Sequence, residues 1–220
     1  MLEQKLKALQ DKVRKAAFLA ESMVEKSTMA LIEKREAPAL EVIGHDENEM
    51  DKLDLEIDEE IVTLLARYQP VAKDLRMVLS SFSVNRNLER VGDHAVNIAE
   101  YALELIPQPP VKPLVDIPRM AVLARKMLRE AIDSLLDEDS VKAMAVIKSD
   151  DEVDNLLEQV RRELITYMLS DPKTIDRALK LASIARNIER IADLATNIAE
   201  NAVFLVNGKM IKHRGEEREG

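Results

Sequence analysis

Two lines of carboxylate and amide side chains stand out because one repeats the other. Glu89, Asp93, Asn97 and Glu100 fall at i, i+4, i+8 and i+11, and Glu189, Asp193, Asn197 and Glu200 repeat them 100 residues later. The surrounding stretches, residues 86–100 and 186–200, agree at ten of fifteen positions, including Arg86 with Arg186 and Arg90 with Arg190. On a helix this spacing places the acids along one side. A line of carboxylate oxygens is what a hard or borderline metal ion binds. The plain alternative is a charged, solvated face. Such a face tolerates almost any polar residue, so two diverged copies that keep the same acids and amide argue for a task beyond solubility.

A second acid set accompanies the first. Glu47 and Asp51, and Asp150 and Asp154, are each spaced i, i+4, which puts both carboxylates of a pair on one helix face. Asp51 and Glu89 lie almost equally far from Pro70 on either side, as Asp154 and Glu189 do from Pro172. If the helices joined at those prolines are antiparallel neighbours, the acid pairs reach one height. Four carboxylates at one level repel unless neutralised, a role open to Arg86, Arg90, Arg186 and Arg190 and better filled by a bound cation. The predicted metal ligands are Glu89, Asp93, Glu189, Asp193, Asp51, Asp150, Asp154 and Glu47. Asn97 and Asn197 either ligate or hold neighbouring carboxylates. With no cysteine and no Glu-x-x-His pair, soft sites and di-iron oxygenase sites are disfavoured, and oxygen ligands suit Mg, Mn, Ca or ferric iron. His94 stands beside Asp93, but its counterpart is Leu194, so a role common to both halves is not expected of it. His45 and His213 read as surface histidines.

The elements that carry these residues are long helices. Leu88, Val91, Ala95, Ile98, Ala102 and Leu105 form a seam at alternating steps of three and four, and residues 188–205 repeat it. Gly92, Ala95 and Ala99 read as small residues that let helices approach. Six helices are predicted, near residues 2–34, 38–68, 71–106, 116–137, 139–170 and 171–207, with Asp116 and Asp139 as caps. Residues 39–43 match 143–147 and residues 47–51 match 150–154, with one extra residue in the first copy. The prediction is an all-α chain of two tandem three-helix bundles related by a pseudo-two-fold. Its parts are a first bundle over 1–106, a proline-rich linker over 107–115, a second bundle over 116–207 and a charged mobile tail over 208–220.

Composition bounds the function. With 46% hydrophobic and 33% charged residues and only five glycines, a soluble helical protein is expected. A net charge of −9 lacks the basic footprint of a nucleic-acid binder. No apolar run is long enough to span a membrane, and the start of the chain runs directly into helical pattern, so an intracellular location is expected. No phosphate-binding glycine loop, nucleophile elbow or Ser/His/Asp set is present.

Paired three-helix units with a Glu-x-x-x-Asp signature on the third helix and an acidic i, i+4 pair on the second resemble the PhoU family of phosphate-uptake regulators. Residues 68–76, Tyr-Gln-Pro-Val-Ala-Lys-Asp-Leu-Arg, are similar to that family's turn between its second and third helices, and residues 109–113 to its linker. Glu47-Asn48 departs from the two aspartates usual there. The resemblance implies a cytoplasmic, commonly dimeric protein that binds multinuclear metal clusters through these acids and negatively controls phosphate uptake and starvation signalling. It implies as partners the ATPase subunit of the phosphate ABC transporter and a sensor histidine kinase, membrane contact only through them, and no catalysis. A structural helical scaffold and a carboxylate-bridged metalloenzyme are the alternatives.

Overall fold

The computed structural model describes residues 1–209; the tail expected over 208–220, with His213, lies from residue 210 onward outside the described residues. The helices are α1 (Leu2–Glu33), α2 (Glu36–Glu41), α3 (Glu47–Tyr68), α4 (Ala72–Leu105), α5 (Asp116–Leu136), α6 (Ser140–Ser170) and α7 (Ile175–Asn207). A π-helical turn, Val42–Asp46, joins α2 to α3 without a break, and a 3-10 turn, Pro172–Thr174, precedes α7. No strand occurs among the described residues.

The π turn falls where the first half has one residue more than the second. A π turn closes its hydrogen bonds one residue later than an α turn, so it absorbs an extra residue inside a helix. The matching part of α6 is regular α-helix from Ser140 to Ser170. The predicted second helix is therefore one rod with a wide turn in it, and the insertion leaves the acids beyond it in the same register in both halves.

Helix ends follow local chemistry. Asp139 accepts hydrogen bonds from the backbone N–H groups of Val141 and Lys142, both at 2.9 Å, and caps α6 as expected. Asp116 makes no cap. It is the buried first residue of α5, and its carboxylate faces the buried Lys112 ammonium of the linker at 3.4 Å, while Lys112 also pairs with Glu163 on α6. A buried charge needs such partners, and here the pairing ties the linker to the second half. Gly208 closes α7 at φ 67°, the left-handed conformation that glycine adopts at little cost.

Each half is a three-helix bundle: α1, α3 and α4 in one, α5, α6 and α7 in the other, with α3 and α6 on the outer flanks. α4 and α7 pack antiparallel along the middle. Arg76 at the start of α4 donates to the Leu205 carbonyl at 3.1 Å, and Lys180 at the start of α7 pairs with Glu104 at 2.8 Å. α1 and α5 meet through Arg125, which pairs with Glu25 at 2.9 Å, and through Arg129, whose Nε donates to Glu21 at 3.1 Å. One apolar core runs through both halves, with Leu88, Ile98, Leu128 and Ile184 fully buried; each such side chain contributes about 1.5–3 kcal/mol. A Cβ added at Gly92 would meet the Met50 side chain at 3.3 Å, so α4 passes close to α3 there.

Candidate functional site

The two acid clusters form on the outer flanks, one where α3 lies against α4 and one where α6 lies against α7. In the first, Asp51 on α3 faces Glu89 and Asp93 on α4. Burial and then the Asp93, Asp54 and Asp51 charges push the Glu89 carboxyl up, with Arg86 opposing. Burial and Asp51 push Asp93 up, against His94 and Arg90. Glu47 is raised by burial and by Asp51, Asp93 and Glu100. In the second cluster, burial and the charges of Asp154, Asp193, Glu189 and Asp151 push the Asp150 carboxyl up to about 7. Glu189 is raised by burial, Asp193 and Asp154, and Asp193 by burial and Asp154. Asp154 is raised by burial and Asp151.

The predicted carboxylates thus lie near enough across facing helices to act on one another, in one set per half. Partial burial is the largest cause of these upward shifts, and the crowding of like charges adds to it. Arginine compensates part of it: Arg190 pairs with Glu189 at 3.8 Å and with Asp193 at 3.6 Å, and Arg86 opposes the rise of Glu89. Asn97 and Asn197 sit half-buried one turn beyond Asp93 and Asp193, and Asn201 donates to the Asn197 carbonyl at 2.7 Å.

The donor chemistry fits a hard cation. The facing acids offer carboxylate oxygens, and the Oδ1 of Asp150 is buried without a hydrogen-bond partner. Such an orphan atom is costly unless something meets it. Preorganisation is incomplete, because among the described residues no group of three or more His, Cys, Asp or Glu is arranged to hold an ion.

The comparisons with known proteins match this duplicated design. The PhoU domain model matches the chain twice, over residues 13–102 and 117–202. The chain belongs to the PhoU family. A PhoU homologue from Aquifex aeolicus, named a phosphate-specific transport system accessory protein, is 40% identical over 219 residues, 100% of this chain and 99% of its own. A second such homologue, from Thermotoga maritima, is 40% identical over 96% of this chain and 90% of its own. The crystal structure of PhoU from Pseudomonas aeruginosa superposes with a TM-score of 0.91 at 33% identity, covering 95% of this chain and 100% of that one. The phosphate transport system regulatory protein PhoU from Streptococcus pneumoniae gives a TM-score of 0.87 at 25% identity, over 96% and 99%.

Within this PhoU fold the first cluster has neighbours that the sequence pattern did not single out. Asn85, buried on α4, donates to the Asp54 carboxylate at 2.8 Å and to Asp58 at 3.2 Å. Arg86 reaches Asp58 at 3.4 Å. Position 85 lies on the apolar seam, where an asparagine must find partners, and that was the available signal. In the second half Leu157, Arg161 and Ala185 hold the equivalent positions, so this polar network belongs to one half only. His94 also has a role that its lack of a repeat counterpart concealed: it crosses to Asn187 on α7.

Proposed function

We propose that the chain is a cytoplasmic, metal-binding regulator that negatively controls phosphate uptake and phosphate-starvation signalling, and that it works by binding rather than by chemistry. The observation that carries this reading is one acid cluster in each half of a chain that phosphate-transport accessory proteins match from end to end. Its partners are then the ATPase subunit of the phosphate ABC transporter and the sensor histidine kinase, and the working form is a homodimer. Ions such as Fe, Mn, Mg or Ca, singly or as multinuclear clusters, are held by Glu89, Asp93, Asp51 and Glu47 in the first half. Glu189, Asp193, Asp150 and Asp154 hold them in the second, with Asn97 and Asn197 supporting. A bound cation supplies positive charge that cancels the repulsion across α3/α4 and α6/α7, and so fixes the outer faces against which a partner docks.

Among the described residues no helix is long and apolar enough to cross a membrane. With a net charge of −9, adhesion to anionic lipid is unfavourable, so recruitment to the membrane runs through protein partners. A second reading, a regulator that needs no metal, is favoured by the incomplete arrangement of the acids. The test is a deletion strain grown in ample phosphate. Starvation genes should be expressed there, and tagged protein should retain the transporter ATPase in a pull-down. Normal repression, with no second family copy in the genome, would exclude the regulatory reading.

A further inference from the structure

The two halves differ at a groove. Between α6 and α7 lies an open groove of about 500 Å³. Leu157, Leu164, Ile165, Met168 and Leu179 give it an apolar lining. Arg161, Arg186 and Arg190 stand along it, with Glu189 the one acid among its lining residues. Ile165 and Leu179 are 52% and 54% exposed, so the apolar surface faces solvent.

The matching surface between α3 and α4 is built differently. Where the second half has Ala182, the first has Phe82, and the Arg86 guanidinium lies over that ring, 5.7 Å from its centroid. Where the second half has Leu157 and Arg161, the first has Asp54 and Asp58, and Asp58 pairs with Arg86 at 3.4 Å. The first half therefore answers its own arginine with an aromatic ring and a carboxylate. In the second half the ring has become a methyl and the aspartate an arginine, and Arg186 has the Glu189 charge nearby in their place. Arg161 turns to Glu158 on its own helix, at 3.0 Å.

We propose that the α6/α7 groove is a docking site for an acidic amphipathic helix of a partner protein. Charge complementarity selects this occupant. The missing ring leaves room for apolar side chains, and three arginines stand along the groove against one lining acid, Glu189. Arg161 and Arg190 hold their present acids through exposed pairs that can exchange for a partner's carboxylates. Length agrees. Leu157 to Met168 on α6, and Leu179 to Arg190 on α7, each run roughly 16 Å at 1.5 Å per residue, the reach of about three helical turns. An apolar groove of that length takes a helix through anchors at i, i+4 and i+7, and acids flanking the anchors meet the arginines. The inference does not rest on the metal reading, although Glu189 borders both sites.

The test uses the full chain in chelator, so that metal binding plays no part, and a fluorescently labelled synthetic helix of about four turns with a leucine stripe flanked by glutamates. A second peptide carries lysines in place of the glutamates. Saturable binding of the acidic peptide is expected, weakening as salt rises, and no binding of the lysine peptide. Ala182→Phe, which installs the first half's ring, should weaken binding by about tenfold or more. Arg161→Asp, an exposed change that spares the core, should do the same while the helical circular dichroism and melting curve stay at wild-type values. If Ala182→Phe fails to fold, Arg161→Asp alone decides. Equal binding of both peptides, or wild-type affinity in the variants, overturns the proposal. A dimer seen by sedimentation that Arg161→Asp dissociates would assign the groove to a second copy of this chain and also overturn it.

Discussion

His94 on α4 bonds Asn187 on α7 across the junction of the two halves, Nδ1 to Oδ1 at 2.8 Å. The Asn187 amide nitrogen already donates to the Ser183 carbonyl at 2.8 Å. Its oxygen is thus turned to the histidine, and the imidazole Nδ1–H is the donor. The pseudo-two-fold is broken here, because Leu194 is buried where a second histidine would stand. His94→Leu should destabilise the fold by about 1 kcal/mol by leaving a half-buried amide oxygen unpaired. Urea unfolding of the single and double variants with Asn187→Ala checks it; additive losses would mean that the bond contributes nothing.

Asn85 serves Asp54 and Asp58, and the second half replaces Asn85 and Asp54 by Ala185 and Leu157. Asn85→Ala alone should cost about 1–3 kcal/mol, since it takes the donor from a partly buried carboxylate. Adding Asp54→Leu should restore much of that loss, because Asn85 and its nearer partner are then both gone while Asp58 keeps Arg86 at 3.4 Å. A double variant no more stable than the single one would show that the first half's packing depends on this network.

Glu89→Ala with Asp93→Ala should lower metal content in the first half and leave the second unchanged. Elemental analysis after loading with Mn or Fe and desalting reads this as a loss of about half of the bound metal if each cluster takes an equal share. Unchanged stoichiometry would remove these residues from the ligand set.

In metal-free protein the crowded carboxylates set a pH dependence. The Asp150 carboxyl is raised to about 7 in the folded chain from an ordinary value of 3.8. Between those values the folded state holds a proton that the unfolded state has lost, so stability contributed through this group falls as pH rises from about 4 to about 7 and is flat above. Asp150→Asn should match wild type near pH 4 and exceed it above about pH 7, by on the order of 1 kcal/mol after allowance for partial exposure. Thermal melts in chelator across that range provide the check. A constant difference at every pH would mean that Asp150 titrates normally.

Gly44 lies in the π turn with nothing within 4 Å of where a Cβ would stand. Gly44→Ala should stabilise the protein by about 0.5–1 kcal/mol, because alanine loses less backbone freedom in a helix and meets no clash. A lower melting temperature would show that the wide turn requires glycine.

Local pattern alone determined much of this protein. The three-and-four steps of Leu88, Val91, Ala95 and Ile98 give a helix and its buried face, since both follow from one helix's geometry. The prolines at 70 and 172 set equal arms on either side, and so the heights at which Asp51 meets Glu89 and Asp154 meets Glu189. Repetition at an offset of 100 residues gave the duplicated architecture, and the resemblance to the family rested on the Glu-x-x-x-Asp signatures, the acidic pairs and the turn over residues 68–76. Asp116 misled because a carboxylate at a helix start reads as a cap, whereas the buried Lys112 claims it. Only the tertiary structure decided what depends on residues far apart in the chain. It turned the one-residue insertion into a π turn, sent His94 to Asn187, and opened a groove at Ala182 where Phe82 stands in the other half. The reason is physical: a helix's own periodicity says which side chains share a face, but not which neighbour that face meets. That choice is made by the crossing of packed helices.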